Sequence, residues 1–279
     1  MRIIDSGIIA EAVENLIGRA QYDTPADLDM SLRNALETER SPLGKQVLSQ
    51  ILENRRIAAG EHLAICQDTG MCVVFMDVGQ DVHISGTYVE DAIQEAVRRA
   101  YAGLRKSVVR DPLFDRTNTR DNTPAVIHSR IVPGAGIKLL VICKGFGSEN
   151  MSRIKLLPPS AGVKGVKDFI VETARLAGAN ACPPMILGVC VGGTFEQAAM
   201  EAKRMTAVGL DYENPDERYR EFEKACLAEI NRLGIGPAGF GGSTTALSIR
   251  ICARPTHIAS LPVAVNVCCH ASRHAETEI

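Results

Sequence analysis

Three cysteines stand in short runs of turn-forming or polar residues, far apart in the chain. They are Cys66 in Ile65-Cys66-Gln67-Asp68-Thr69-Gly70, Cys182 in Ala181-Cys182-Pro183-Pro184 and Cys269 in Cys268-Cys269-His270-Ala271-Ser272-Arg273. Three thiolates gathered by folding can hold an iron–sulfur cluster that four normally complete, and the missing ligand leaves one iron open to a substrate. That is Lewis-acid chemistry. Pro183 and Pro184 fix φ and remove two N–H donors, which stiffens the backbone beside Cys182. Cys72, Cys143, Cys190, Cys226 and Cys252 lie instead on apolar runs, where a free thiol is most often a small core residue. A single zinc ion is the competing occupant, with His257, His270 or His274 completing a tetrahedral set. Structural zinc ligands usually come in pairs two to four residues apart, however, and the chain has no Cys-x-x-Cys.

Asp68, next to Cys66, and His257, in Pro255-Thr256-His257-Ile258-Ala259-Ser260, are the candidate proton-handling or orienting groups. An Asx-turn at Asp68 and a hydrogen-bonded structural histidine fit the same residues equally well. Glycine-rich loops at 145–147, 192–193 and 234–242 adjoin apolar runs, where absent side chains let backbone N–H groups approach an anion or a cluster sulfide, or simply shape a tight turn. Gly234, Gly236 and Gly239 match dinucleotide-fingerprint spacing, but a helix precedes them and a strand follows, the reverse of a Rossmann site. There is no Walker lysine.

The elements that must position these groups are legible in outline. Ile9, Val13, Leu16 and Ile17 share a helical face. Thr24-Pro25-Ala26-Asp27 offers an N-cap before Leu28, Leu32 and Leu36, and a third helix runs through Val47, Leu48 and Ile51. The Cys66 motif then opens a buried strand, Met71-Cys72-Val73-Val74-Phe75-Met76. A helix over 88–104, strands at 125–128 and 138–143, a helix near 161–177, a strand over 185–191, helices after Thr194 and Asn214, and strands at 246–252 and 261–268 complete the series. With no fixed-period repeat and no low-complexity linker, we expect an α+β fold, one compact domain over residues 1–279 with mixed or antiparallel sheets flanked by helices. Residues up to about 60 are its helical part.

Composition narrows the function classes. The chain of 279 residues can bury a sizeable core without disulfides, so its nine cysteines read as reduced thiols. A formal charge of −2, with no basic block interleaved with aromatics, argues against nucleic acid. Asp5, Glu11 and Glu14 interrupt any signal-like run, and the weakly polar stretch 258–269 falls short of the roughly 20 residues of a membrane span. We expect a cytoplasmic protein with a small-molecule partner.

Six segments in order resemble the α-subunit, or amino-terminal domain, of the oxygen-sensitive iron–sulfur hydro-lyases, class I fumarate hydratase and its relative L(+)-tartrate dehydratase. They are 66–70, 118–124, 144–150, 182–184 with 192–194, 233–245 and 257–273, spanning nearly the whole chain. The resemblance implies that Cys66, Cys182 and Cys269 hold a [4Fe–4S] cluster in a cluster-binding α+β region of roughly 61–279. Gln67 and Asp68 would then face substrate, His257 would orient it or relay protons, Gly145 would offer a backbone contact and Arg105 would bind a substrate carboxylate. Dehydrating malate expels hydroxide while removing a weakly acidic proton beside a carboxylate, so an open iron plus fixed cations and donors suits the task.

Where the family has three consecutive glycines, this chain reads Gly145-Phe146-Gly147, and Phe146 either narrows the approach to the cluster or points away from it. Single-chain members continue into a second domain beyond the point that corresponds to Ile279. The resemblance therefore implies an α-subunit that works in a hetero-oligomer with a separate β-subunit and has little activity alone. Ser148-Glu149-Asn150 and Ser260-Leu261-Pro262 look like the fumarase branch, which favours fumarate and malate over tartrate. A non-catalytic iron–sulfur redox-sensing protein on the same scaffold is the alternative from another class.

Overall fold

The computed structural model describes residues 1–23 and 25–279, so the expected N-cap Thr24 lies outside the described residues. The element order is β1 (Arg2–Asp5), α1 (Ser6–Tyr22), α2 (Ala26–Thr38), α3 (Pro42–Glu61), β2 (Met71–Gly79), β3 (Val82–Ser85), α4 (Val89–Ala100), β4 (Val126–Val132) and β5 (Ile137–Lys144). There follow α5 (Phe146–Glu149), β6 (Arg153–Leu157), α6 (Gly162–Ala177), β7 (Met185–Gly192), α7 (Phe195–Met205), α8 (Glu217–Asn231), β8 (Ala246–Arg254), β9 (Leu261–Cys268) and β10 (His274–Glu278). The α+β class expected from the sequence is the class observed.

The chain divides into two compact units, each assembled from separate stretches. The first comprises Met1–Asp23, Ile57–Phe146 and Arg273–Ile279, the second Thr24–Arg56 and Gly147–Ser272. The amino-terminal helices form no layer of their own, since α1 belongs to the first unit and α2 with most of α3 to the second.

In the first unit a four-stranded sheet runs β10-β5-β2-β4, with β5 antiparallel to β2 and β10, and β4 parallel to β2. Asp5 caps α1 by accepting the Gly7 N–H at 2.8 Å, and Ile9, Val13, Leu16 and Ile17 are buried in the core as their spacing implies. They pack with Ile93, Ala96 and Val97 of α4 and with Cys72, Val74, Val141 and Cys143 of the sheet. Burial raises the pKa of the Cys72 and Cys143 thiols, which keeps them protonated core residues.

The second unit has a sheet ordered β6-β9-β7-β8, in which β9 is antiparallel to β6 and β7, and β8 is parallel to β7. Strand parity assigns its faces. Met185, Leu187 and Val189 of β7 pack with Phe169 and Ile170 of α6 and Cys226 and Ile230 of α8. Ile186 joins Leu28, Leu32, Leu48 and Ile51 of α2 and α3, and Cys190 meets Ala198 and Ala202 of α7. With both faces covered, β7 is almost continuously apolar.

Candidate active site

In the first unit the Cys66 motif is an irregular segment between α3 and β2, and its backbone is held by a buried network. Tyr101 Oη donates to the Thr69 carbonyl at 3.0 Å, and Gln21 Nε2 donates to the same oxygen at 2.7 Å. Arg273 Nη1 donates to the Asp68 carbonyl and reaches Gln21 Oε1 at 3.5 Å. All three side chains are buried. Burial raises the pKa of Tyr101 well above the usual phenol value, so its hydroxyl stays a donor.

The same network aims the Asp68 carboxylate. Its Oδ1 accepts the Gly70 N–H at 2.9 Å, forming the Asx-turn, and its Oδ2 accepts the Phe146 N–H at 2.9 Å. A Cβ at Gly145 would stand 3.0 Å from Arg273 Nη2 and 3.2 Å from Asp68 Oδ2, so a side chain here would press on both groups. Phe146 contributes its backbone N–H here, while its side chain is 45 % exposed.

A cavity of about 310 Å³ opens beside the motif, lined by Cys66, Gln67, Thr69, Leu104 and Arg105 with Tyr22, His62 and Leu63. Thr69 Oγ1 donates to the Arg105 carbonyl at 2.5 Å, which ties the arginine's segment to the motif. His62 has a φ of 52° directly after α3 and stacks on Tyr22 with ring centroids 3.9 Å apart. The Leu63 N–H closes the helix end onto the Ala58 carbonyl at 2.9 Å.

In the second unit Cys182 is exposed, with φ 50° and ψ 64°, after a 3-10 turn over Gly178–Ala181. The His270 N–H donates to the Cys182 carbonyl at 3.4 Å, which joins the Cys182 and Cys269 segments. Sheet register explains the meeting. β7 starts just after Cys182 and β9 ends just before Cys269, and the two strands are antiparallel with Ile186 opposite Cys268. Both cysteines therefore stand at one end of the sheet. Cys269 is partly accessible, whereas its neighbour Cys268 is buried against α2 and α3.

His257 stands apart from these two cysteines within the second unit. It precedes β9, an eight-residue strand about 23 Å long. The Gly193 N–H donates to the Pro255 carbonyl and Thr256 Oγ1 to the Gly193 carbonyl, which fastens the segment to the opposite end of β7. His257 is exposed there, its Nδ1 accepting the Ala259 N–H at 3.2 Å.

The long glycine segment buttresses Cys182. The Ala238 N–H donates to the Pro183 carbonyl at 2.8 Å, and a Cβ at Gly239, whose φ is +81°, would lie 2.4 Å from the Ala179 Cβ. Glu39 fastens the far side of this segment. Its carboxylate accepts the backbone N–H groups of Arg40 and Ser41, of Ser243 at 2.8 Å and of Thr244 at 2.8 Å. Burial pushes its pKa up, but the donors of Ser41, Ser243, Thr244 and Arg40 outweigh burial and hold it at about 2. Sequence inspection missed Glu39, Gln21, Tyr101 and His62. Only contacts made by folding mark them.

A family model described as fumarate hydratase (Fumerase) matches residues 10–278. The chain belongs to this family. Among curated relatives, a Methanocaldococcus jannaschii protein provisionally named L(+)-tartrate dehydratase subunit alpha is 36 % identical over 273 residues, 96 % of each chain. The L(+)-tartrate dehydratase alpha subunit of Escherichia coli is 29 % identical over 278 residues, covering 97 % of this chain and 90 % of that one. The Shigella boydii subunit of the same name is 29 % identical over 272 residues, 95 % and 88 % of the two chains. The match is thus to a family of hydro-lyases and to alpha subunits within it.

The donor set fits the cluster the family implies. Cys66, Cys182 and Cys269 are accessible, as is Cys252 on strand β8, whereas Cys72, Cys143, Cys190, Cys226 and Cys268 are buried. Among the described residues no group of three His, Cys, Asp or Glu side chains is close enough to hold a single metal ion. Buried polar atoms without partners in the second unit include His270 Nδ1, next in sequence to Cys269, and both Nη atoms of Arg55. No helix among the described residues is long and apolar enough to cross a membrane.

Proposed function

We propose that this chain is the α-subunit of a two-component [4Fe–4S] fumarate hydratase, interconverting fumarate and L-malate. The observation that carries this is the single cavity lined by Cys66, Gln67 and Arg105, with the Asp68 carboxylate fixed in the same motif. The cluster would be held by Cys66, Cys182 and Cys269, and when bound it supplies an iron without a protein ligand as Lewis acid for the departing hydroxyl. Arg105 pairs with a substrate carboxylate at the cavity wall, where a guanidinium presents two parallel donors. Gln67 hydrogen-bonds the substrate next to it, and Gly145 offers a backbone contact. Asp68 takes the proton beside the carboxylate, because two backbone N–H groups fix the direction of its carboxyl. The family resemblance also gives His257 the role of orienting substrate or relaying protons.

The relatives' names are those of alpha subunits, which supports a separate β-subunit and a hetero-oligomer. Those same names favour a second reading in which the substrate is L(+)-tartrate, dehydrated to oxaloacetate. Anaerobic co-expression with a β-subunit, followed by assays on L-malate and on L(+)-tartrate, separates the two. Malate turnover well above tartrate turnover supports the first reading, and the reverse supports the second. A fully loaded cluster with neither activity would point to a non-catalytic redox role.

A further inference from the structure

Arg55 is among the most buried charged side chains in the protein, with 1 % of its side chain exposed. Its Nε donates to Asp29 Oδ1 at 2.6 Å, but Nη1 and Nη2, four N–H groups in all, are buried without a partner. Leaving guanidinium donors unmatched in a low-dielectric interior costs about 1–3 kcal/mol per group, so a site that keeps them is built around acceptors that arrive later. The fold indicates where those acceptors come. Val47, Ile51 and Arg55 recur every four residues along one stripe of α3, and Val47 and Ile51 pack in the cluster of side chains that contains Cys268. Arg55 lies one turn farther along that stripe, and Cys269 and His270 directly follow Cys268 in the chain. His270 lies within electrostatic reach of both Cys269 and Arg55, and its own Nδ1 is a second buried atom without a partner.

Resting on the cluster reading above, we infer that Arg55 is a positioning and charge-compensating residue for the cluster, donating its Nη groups to sulfur at the Cys269 corner. A [4Fe–4S] centre with three thiolates carries net negative charge, and nearby cations and hydrogen bonds to sulfur raise its reduction potential. The test is a redox titration of the reconstituted cluster, read by electron paramagnetic resonance, with iron counted per chain. Arg55→Met removes charge and donors at similar volume, Arg55→Lys keeps the charge without the fork, and Asp29→Asn breaks the ion pair but keeps the guanidinium.

We expect a more negative midpoint in Arg55→Met, a smaller shift of the same sign in Arg55→Lys, and no negative shift in Asp29→Asn. A fully loaded Arg55→Met protein with the wild-type midpoint overturns the inference. If Arg55→Met loads poorly, Asp29→Asn decides. Full loading of Asp29→Asn supports the role at sulfur, and an equal loss of iron shows that Arg55 merely anchors α3, which also overturns the inference. Failure of the wild-type protein to take up iron would instead remove the cluster reading on which this rests.

Discussion

Glu39→Gln perturbs the support of Cys182 without touching the cysteine. In the folded second unit the Glu39 carboxyl is held at about 2 rather than 4.5, because backbone donors outweigh the cost of burial. Each unit corresponds to about 1.4 kcal/mol, so the ionised carboxylate contributes at most about 3 kcal/mol to folding. The neighbouring Arg40 is exposed, and water screening reduces the expected loss in Glu39→Gln to about 1–2 kcal/mol at pH 7. The folded pKa is depressed, so the contribution is complete above about 4.5 and disappears as pH falls toward about 2. Roughly two-fifths of it is gone by pH 3.5. Urea unfolding followed by far-ultraviolet circular dichroism suits a chain with no tryptophan. The gap between wild type and variant should hold steady from pH 7 to 5 and narrow below pH 4.5. The same variant loosens the segment that donates Ala238 N–H to Pro183, so alkylation of Cys182 should quicken. A gap of equal size at pH 7 and pH 3.5 would refute the assignment of Glu39 as an ionised clamp.

Other substitutions probe the first unit. Arg105→Met should raise KM for a dicarboxylate about tenfold or more in the assembled enzyme, by removing a charge-assisted pair, and an unchanged KM would remove Arg105 from the substrate. Gly145→Ala inserts a Cβ 3.0–3.2 Å from Arg273 and Asp68 and should lower kcat about 10- to 100-fold with the cluster still loaded, while wild-type kcat would show the backbone approach to be unimportant. Tyr101→Phe leaves the Thr69 carbonyl with one donor fewer and should cost about 1–2 kcal/mol in urea unfolding, whereas a loss below about 0.3 kcal/mol would mean that Gln21 suffices.

The sequence reveals most where one local pattern decides the outcome. The stripe of Ile9, Val13, Leu16 and Ile17 marks α1, and the apolar run after Pro184 marks β7. Strands β1, β3, β6 and β10 escape notice because they are short and lie at sheet edges or in a two-stranded pair, with partly exposed residues that give no clean alternation. The helix expected over 88–104 stops at Ala100, and Tyr101 just beyond it is fully buried as a hydrogen-bond donor rather than as one more apolar residue. Motifs single out Cys66, Gln67, Asp68, Arg105, Gly145, Cys182 and Cys269 as candidates, but not the side chains that scaffold them. Glu39 grips residues some two hundred positions away, and no local spacing announces that. His257 precedes the eight-residue strand that ends at Cys268, so nearness in sequence to that strand does not place it beside Cys269.

Anaerobic reconstitution with iron and sulfide, comparing wild type with Cys66→Ser, Cys182→Ser, Cys269→Ser and Cys226→Ser, tests whether these three cysteines hold a cluster. About four irons and four sulfides per chain in wild type and in Cys226→Ser, with loss in each of the other three, is the expected result. Uptake of a single metal ion, or iron binding that survives all three substitutions, would contradict it.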